Sequence, residues 1–283
     1  MEYGNSYSDW KQWKESTALK NYMLALVPGN KENYKRTSSG RVKNYSNQWY
    51  LDNTNNPSNG ASGVKTSYWF IYNNVLFINL DTNVSCSSTV RNWFKSVVSA
   101  QEGNYQYIVV QKHYPYFKTD SGDVIVCDYG DYTKWYEIFD ECGVDFALSA
   151  DHHVYTRSER LYNNAVSTSS KKGTVYLTYP MITASSRNDA TKLSTAKGTN
   201  PLIAAFATGG STGAGVFDVT SSKMVRRSTK AKPLIFRILY TLPCSVIFLP
   251  IYFIIFSAST FESSIIPFIN FIFFSEKIII FPP

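Results

Sequence analysis

The sequence predicts a layered α/β body, and three observations carry that prediction. Within the first 228 residues, apolar runs of strand length alternate with stripes of helical spacing. Polar residues stand just past the ends of several apolar runs, where open α/β sheets present their sites. Hydrophobic residues make up 44% of the 283 positions, enough to bury a substantial core in one large or two ordinary domains.

Taken in order, residues 68–72 and 75–80 are β-rich runs joined by Asn73-Asn74, a pair that accepts positive φ and so predicts a hairpin. Val90, Trp93, Phe94, Val97 and Val98 recur at helical spacing, with Gly103 as the stop. Residues 107–110 form an apolar strand that runs into Lys112-His113-Tyr114-Pro115. Trp135, Ile138 and Phe139 make a second helical stripe, and Gly143 sits where a C-cap belongs. Residues 144–148 are a buried-type strand delivering Ser149-Ala150-Asp151-His152-His153 to its end. Further strands are predicted at 174–178, 203–208 and 215–219, separated by Ser, Gly and Asn loops. No internal repeat is present.

The formal charge of +7 is concentrated in one stretch holding Lys223, Arg226, Arg227, Lys230, Lys232 and Arg237. Without it the chain is close to neutral, so the basic pI is not the footprint of a nucleic-acid partner, which needs basic residues along a groove. The four cysteines, Cys86, Cys127, Cys142 and Cys244, form no CxxC pair and no zinc-like spacing. Asn44-Tyr45-Ser46 and Asn83-Val84-Ser85 match the N-glycosylation pattern, but such triplets are common in a chain this rich in Asn and Ser. A plain surface position is expected for both. The opening Met1-Glu2-Tyr3-Gly4-Asn5 has neither the basic start nor the apolar run of a secretory signal.

A composition boundary falls near residue 228, dividing an α/β domain (1–228) from an apolar tail (229–283). After Lys232 there is no glycine, and only Arg237, Glu262, Glu276 and Lys277 are charged. Residues 238–258 carry no charge over a length that suits a helix crossing a hydrocarbon core of about 30 Å. A membrane is thus one expected partner, with the basic cluster keeping the preceding domain on the cytoplasmic side. Pro243 and Pro250 oppose a continuous helix, and 265–274 is too short to span. The competing reading is that the Phe- and Ile-rich tail is translated non-coding or frame-shifted sequence.

The chain has three histidines, all just past predicted strands. A histidine taken singly is more often a hydrogen-bonded core or surface residue than a ligand. The order is more informative: Asn30 after a glycine, His113 before a Tyr-Pro, then the Asp151, His152, His153 cluster. Nitrogen and oxygen donors converging from several strand ends are what a hydrolytic metal pair requires, because two cations can activate a water and clamp both oxygens of a displacement at phosphorus.

These segments resemble the calcineurin-like metallophosphoesterases, and among them the purple acid phosphatases. Residues 24–32, Leu-Ala-Leu-Val-Pro-Gly-Asn-Lys-Glu, resemble the family's Gly-Asn-His-Asp/Glu motif. His113-Tyr114-Pro115 resembles its single-histidine motif, and 68–82 is similar to the strand pair preceding it. Residues 143–158 resemble the run that carries Gly-His-x-His and continues Val-Tyr-x-Arg, the most specific signal in the chain. The match extends over roughly residues 1–225. It implies a sandwich of two mixed β-sheets flanked by helices, and two metal ions of iron, zinc or manganese. The substrate it implies is a phosphate ester.

By that resemblance Asn30 and His113 are ligands of the second metal and His153 binds the first. Asp151 stands where the family has a histidine, and a carboxylate there changes charge and geometry. Lys31 replaces a histidine that contacts phosphate or assists the leaving group. A lysine attracts phosphate as a point charge but is a poor proton donor at neutral pH. Ala150 replaces the motif glycine, and His152, at the variable position, is a weaker catalytic candidate.

The family opens with an Asp-x-His strand and a Gly-Asp motif whose aspartate bridges the metals, and neither occurs in this sequence. Met1-Glu2-Tyr3 fits the last positions of Gly-Asp-x-x-Tyr, which makes Tyr3 a speculative metal ligand and the fold incomplete at its N-terminus. Loss of a shared carboxylate weakens a two-cation site, since that charge offsets the repulsion between the ions. The expectation is metal-dependent phosphate-ester hydrolysis by descent, impaired in this chain. The alternative is a non-catalytic, membrane-tethered pseudo-phosphatase that binds a partner or a phosphate-bearing ligand.

Overall fold

The computed structural model describes residues 6–15, 25–33, 66–83, 85–120, 123–126, 132–152, 155–169, 172–179, 200–207, 216–219, 224–227, 271–274 and 277–280. Three α-helices are described: α1 (Tyr7–Lys14), α2 (Ser88–Ala100) and α3 (Tyr132–Cys142), with a short 3-10 helix at Lys31–Asn33. The main sheet contains β1 (Tyr68–Tyr72), β2 (Val75–Leu80), β3 (Tyr107–Lys112), β6 (Phe146–Ser149), β7 (Tyr155–Tyr162), β8 (Ala165–Val166), β9 (Thr174–Thr178) and β10 (Ile203–Ala207). The remaining strands pair off by twos: β4 (Phe117–Asp120) with β5 (Asp123–Val126), β11 (Val216–Val219) with β12 (Met224–Arg227), and β13 (Phe271–Phe274) with β14 (Lys277–Ile280).

The main sheet runs β1-β2-β3-β6-β9-β7-β10, with β8 paired to β7. Its centre, β2-β3-β6-β9, is parallel, while β1, β7 and β10 join antiparallel. The architecture is therefore α/β with one mixed eight-stranded sheet. The expected sandwich of two mixed sheets is not seen among the described residues, which hold this one large sheet and three separate two-stranded pairs.

Local chemistry explains the elements. Asn73 and Asn74 adopt φ of 49° and 59°, the left-handed pair a two-residue hairpin turn needs, and Tyr72 pairs with Val75 across it. Ser87 caps α2 by accepting the Val90 N–H, and Val90, Trp93, Phe94 and Val97 turn inward as their spacing predicts. Helix α3 ends in a Schellman arrangement: Gly143 takes φ 70° and the Val144 N–H returns to the Phe139 carbonyl at 2.9 Å.

Every residue of β2 is buried, as in a strand covered on both faces. Leu76, Ile78 and Leu80 join Ile108, Val110 and Tyr176 beneath α2 and α3, together with Phe94, Trp135, Ile138 and Phe139. Val75, Phe77, Val109, Phe146, Leu148 and Leu177 point the other way, where Ala25 and Tyr68 join them. The Tyr68 hydroxyl donates to the Leu26 carbonyl at 2.9 Å, pinning segment 25–29 against that second face. The two helices are tied along their outer sides by Arg91 to Glu137 at 3.2 Å and Lys95 to Glu141 at 2.5 Å.

The polar strand β7 is an element that periodicity does not predict. It buries Thr156, which pairs with Thr178 across the sheet, and Ser158, whose Oγ accepts the Tyr176 N–H at 2.8 Å. The proposed span at 238–258 lies outside the described residues. Among the described residues no helix is long and apolar enough to cross a membrane.

Candidate functional site

Four parallel strands deliver their carboxyl ends to one edge of the sheet. There β2 continues into Asp81-Thr82-Asn83, β3 into His113-Tyr114, β6 into Ala150-Asp151-His152, and β9 into Tyr179. The loops are cross-tied: the Ala150 N–H donates to the His113 carbonyl at 2.9 Å, and the Tyr114 N–H to Thr82 Oγ1 at 3.2 Å. The Tyr179 N–H reaches the Ser149 carbonyl at 3.0 Å.

Asp151 has φ 69°, a left-handed conformation that aspartate tolerates better than most residues. Its Oδ1 lies 3.2 Å from His113 Nε2 and accepts the Asn30 Nδ2–H at 3.0 Å. Its Oδ2 lies 4.0 Å from His152 Nε2. The His113 side chain is fully buried, while Asp151 and His152 keep a narrow opening to solvent. Asn30 arrives from the 25–29 segment, where Glu32 Oε2 accepts the Gly29 N–H at 2.7 Å. Asn30 Oδ1 is buried and has no hydrogen-bond partner among the described residues.

The structure thus brings Asn30, His113 and Asp151 into contact, with His152 at the margin. Lys31, half-buried, follows Asn30 as the first residue of the 3-10 helix. His153 and Tyr3 lie outside the described residues, as does Asn44. For Asn83 the plain surface expectation is corrected: its amide is half-buried and directed inward, to the Pro28 carbonyl at 3.2 Å, the Gly29 carbonyl at 3.1 Å and Asp81 Oδ1 at 2.9 Å.

Sequence reasoning passed over Asp81 and Asn83 because neither has a metal-ligand pattern around it. The available signal was the one that singled out His113 and Asp151: a polar run directly after an apolar strand. Asp81, almost fully buried, accepts Thr66 Oγ1–H at 2.5 Å and the Asn83 N–H at 3.0 Å.

Asn30 Oδ1, the imidazole nitrogens and the Asp151 carboxylate are nitrogen and oxygen donors suited to zinc, iron or manganese. Among the described residues no three His, Cys, Asp or Glu side chains are grouped to hold a metal by themselves. The orphaned Asn30 oxygen would complete a set for one ion. His113 Nε2 and Asp151 Oδ1, which face each other, are the atoms such an ion would take.

No family model matches the chain, and no curated protein matches it. The solved structures similar over part of it include the following three. A purple acid phosphatase from yellow lupin (Lupinus luteus) seeds has a TM-score of 0.38 and 12% identity, over 48% of this chain and 25% of that one. PhoD has 0.39 and 14%, over 58% and 38%. GAP50, described as the anchor in the inner membrane complex of Plasmodium, has 0.30 and 17%, over 50% and 42%. The chain therefore spans less than half the length of each. At these scores the likenesses assign no activity to it.

Proposed function

We propose that this chain is a phosphoesterase-type domain that binds a phosphate ester at the carboxyl ends of β2, β3 and β6, with hydrolysis impaired. The observation that carries the reading is the contact of Asn30, His113 and Asp151, three positions that the sequence resemblance names as ligands, across 121 residues of chain. The resemblance supplies the reaction class. Asn30, His113 and Asp151 would hold one ion of zinc, iron or manganese. Such an ion, when bound, supplies electrophilic activation of a phosphoryl oxygen. Asn30 contributes a neutral oxygen, His113 a buried nitrogen, and Asp151 the negative charge that offsets the cation. Lys31, next to Asn30, attracts the ester's phosphate as a point charge, and His152 is the group nearest the opening that can move a proton. His153 joins this set by resemblance.

One observation favours the second reading, a non-catalytic binding module. Asp151 is already engaged by Asn30 and His113, so the site satisfies part of its own charge without an ion. Metal analysis and turnover separate the two. The full chain, stripped of metal and titrated with Mn2+ or Zn2+, should retain less than two ions per molecule and hydrolyse an activated aryl phosphate slowly. Two tightly held ions would overturn the impairment. Phosphate-ester binding without metal dependence or turnover would favour the binding module, and no binding of metal or ester would overturn both readings.

A further inference from the structure

We propose that Asn83 is a positioning residue of this site, its side-chain amide holding the Pro28–Gly29 backbone so that Asn30 reaches Asp151. The inference rests on the reading of Asn30 as a site residue. Asn83 is itself anchored twice on Asp81 Oδ1, through its backbone N–H at 3.0 Å and its Nδ2 at 2.9 Å. Asp81 is fixed in turn by Thr66 Oγ1–H on Oδ2 and by its own N–H, which donates to Ser67 Oγ at 3.0 Å. From that anchorage the amide reaches two successive carbonyls, Pro28 at 3.2 Å and Gly29 at 3.1 Å.

An amide NH2 has two hydrogens, so three acceptors share them, and none of the three is a ligand position. On the other side of the turn Glu32 Oε2 takes the Gly29 N–H. The peptide immediately before Asn30 is therefore gripped from both sides, and Asn30 is left with one amide hydrogen bond to Asp151 and a buried oxygen that has no partner among the described residues. No hydrogen bond recorded for the Asn83 side chain goes to His113 or Asp151; it acts through Asn30. The same Nδ2 is the atom an N-linked sugar would occupy, and modification there would dismantle the clamp.

The test uses the full chain, 15N-labelled and metal-free, with the Asn30 side-chain amide resonance as readout, followed by Mn2+ titration. Asn83→Ala should shift or broaden the Asn30 amide and weaken Mn2+ binding roughly 10–100-fold, the range for groups that orient ligands. Thr174→Val, which removes a buried hydrogen bond to the Val144 carbonyl at the start of β9, away from the Asp81–Asn83 clamp and the 28–30 turn, should leave both nearly unchanged. Asn83→Gln keeps the amide but displaces it by one methylene, and it should move the Asn30 resonance even if Asn83→Ala does not fold. An Asn30 resonance unmoved in every folded Asn83 variant overturns the proposal. So do losses that only track thermal stability equally in the Thr174 and Asn83 variants. If the wild type binds no Mn2+ while the Asn30 amide still responds, the positioning role stands and the phosphoesterase reading fails.

Discussion

Asp151 Oδ1 sits 3.2 Å from His113 Nε2, across the ends of neighbouring strands β6 and β3, and the imidazole it faces has no exposure to solvent. Removing either partner leaves a buried polar group to be satisfied elsewhere. His113→Ala should abolish aryl-phosphate hydrolysis and reduce Mn2+ retention by about tenfold or more. A circular-dichroism spectrum like the wild type's would show that the sheet survives. Unchanged metal retention in the folded variant would remove His113 from the site.

The left-handed backbone at Asp151 gives a separate, purely conformational prediction. Asp151→Gly and Asp151→Ala lose the same contacts to Asn30 and His113, but only glycine accepts φ near +69° without a Cβ penalty, so Asp151→Ala should be less stable than Asp151→Gly by roughly 1–2 kcal/mol. Urea unfolding midpoints would measure the order. Equal stability for Ala and Gly would mean that this turn is not held left-handed.

Asp145 predicts a pH dependence. Burial raises its carboxyl above the usual 3.8, opposed by the Ile108 N–H bond and by Arg160. The folded state then holds the proton more tightly than the unfolded chain. The stability contribution is greatest below pH 3.8 and is lost as pH rises through the raised folded value. Asp145→Asn keeps an acceptor for the Ile108 N–H, 3.0 Å from Oδ2, and removes the charge. Denaturation at a series of pH values should show the variant gaining on the wild type over that interval and holding its lead above it. A lead that shrinks with rising pH would mean that Arg160 outweighs burial.

The Cys142 thiol is pushed up to about 11, by burial first and then by Glu141. At pH 8 about one molecule in a thousand carries the reactive thiolate, so iodoacetamide should modify Cys142 about a hundredfold more slowly than free cysteine. Peptide-resolved mass spectrometry over a time course would follow this residue separately from the other cysteines. Labelling at the rate of free cysteine would show the site to be open.

For the tail, residues 238–258 fused to a reporter together with the preceding basic cluster, residues 223–237, are expected to carry it into membranes with that cluster on the cytoplasmic side. Carbonate extraction would decide between this and a soluble or aggregated fusion, which would support the non-coding reading.

The elements that local rules govern were legible in the sequence. Asn73-Asn74 could only make a tight turn, Val90 to Val97 could bury only one helical face, and Gly143 sat where α3 had to stop. Strand β7 was not legible, because Ser158 looks solvent-facing until the neighbouring strand β9 brings it the Tyr176 N–H. The site divides in the same way. Asn30, His113 and Asp151 stood out through their positions after strands and their motif context, and the structure puts them in contact. The Asp81–Asn83 clamp was hidden, because its function lies in hydrogen bonds to residues 54 and 55 positions away.

The hydrogen bond from Asn30 to Asp151 closes a loop of 121 residues, whereas the β1–β2 hairpin closes over two. Contacts this distant in sequence must recover their loop-closure entropy from structure already formed between their ends. The Asn30–His113–Asp151 cluster should therefore assemble late, after the hairpin and the α2 crossover have nucleated the sheet. In pulse-labelled refolding, protection of the Gly29 amide would lag behind that of Ile78, and a chain caught between the two would have its sheet before it had its site.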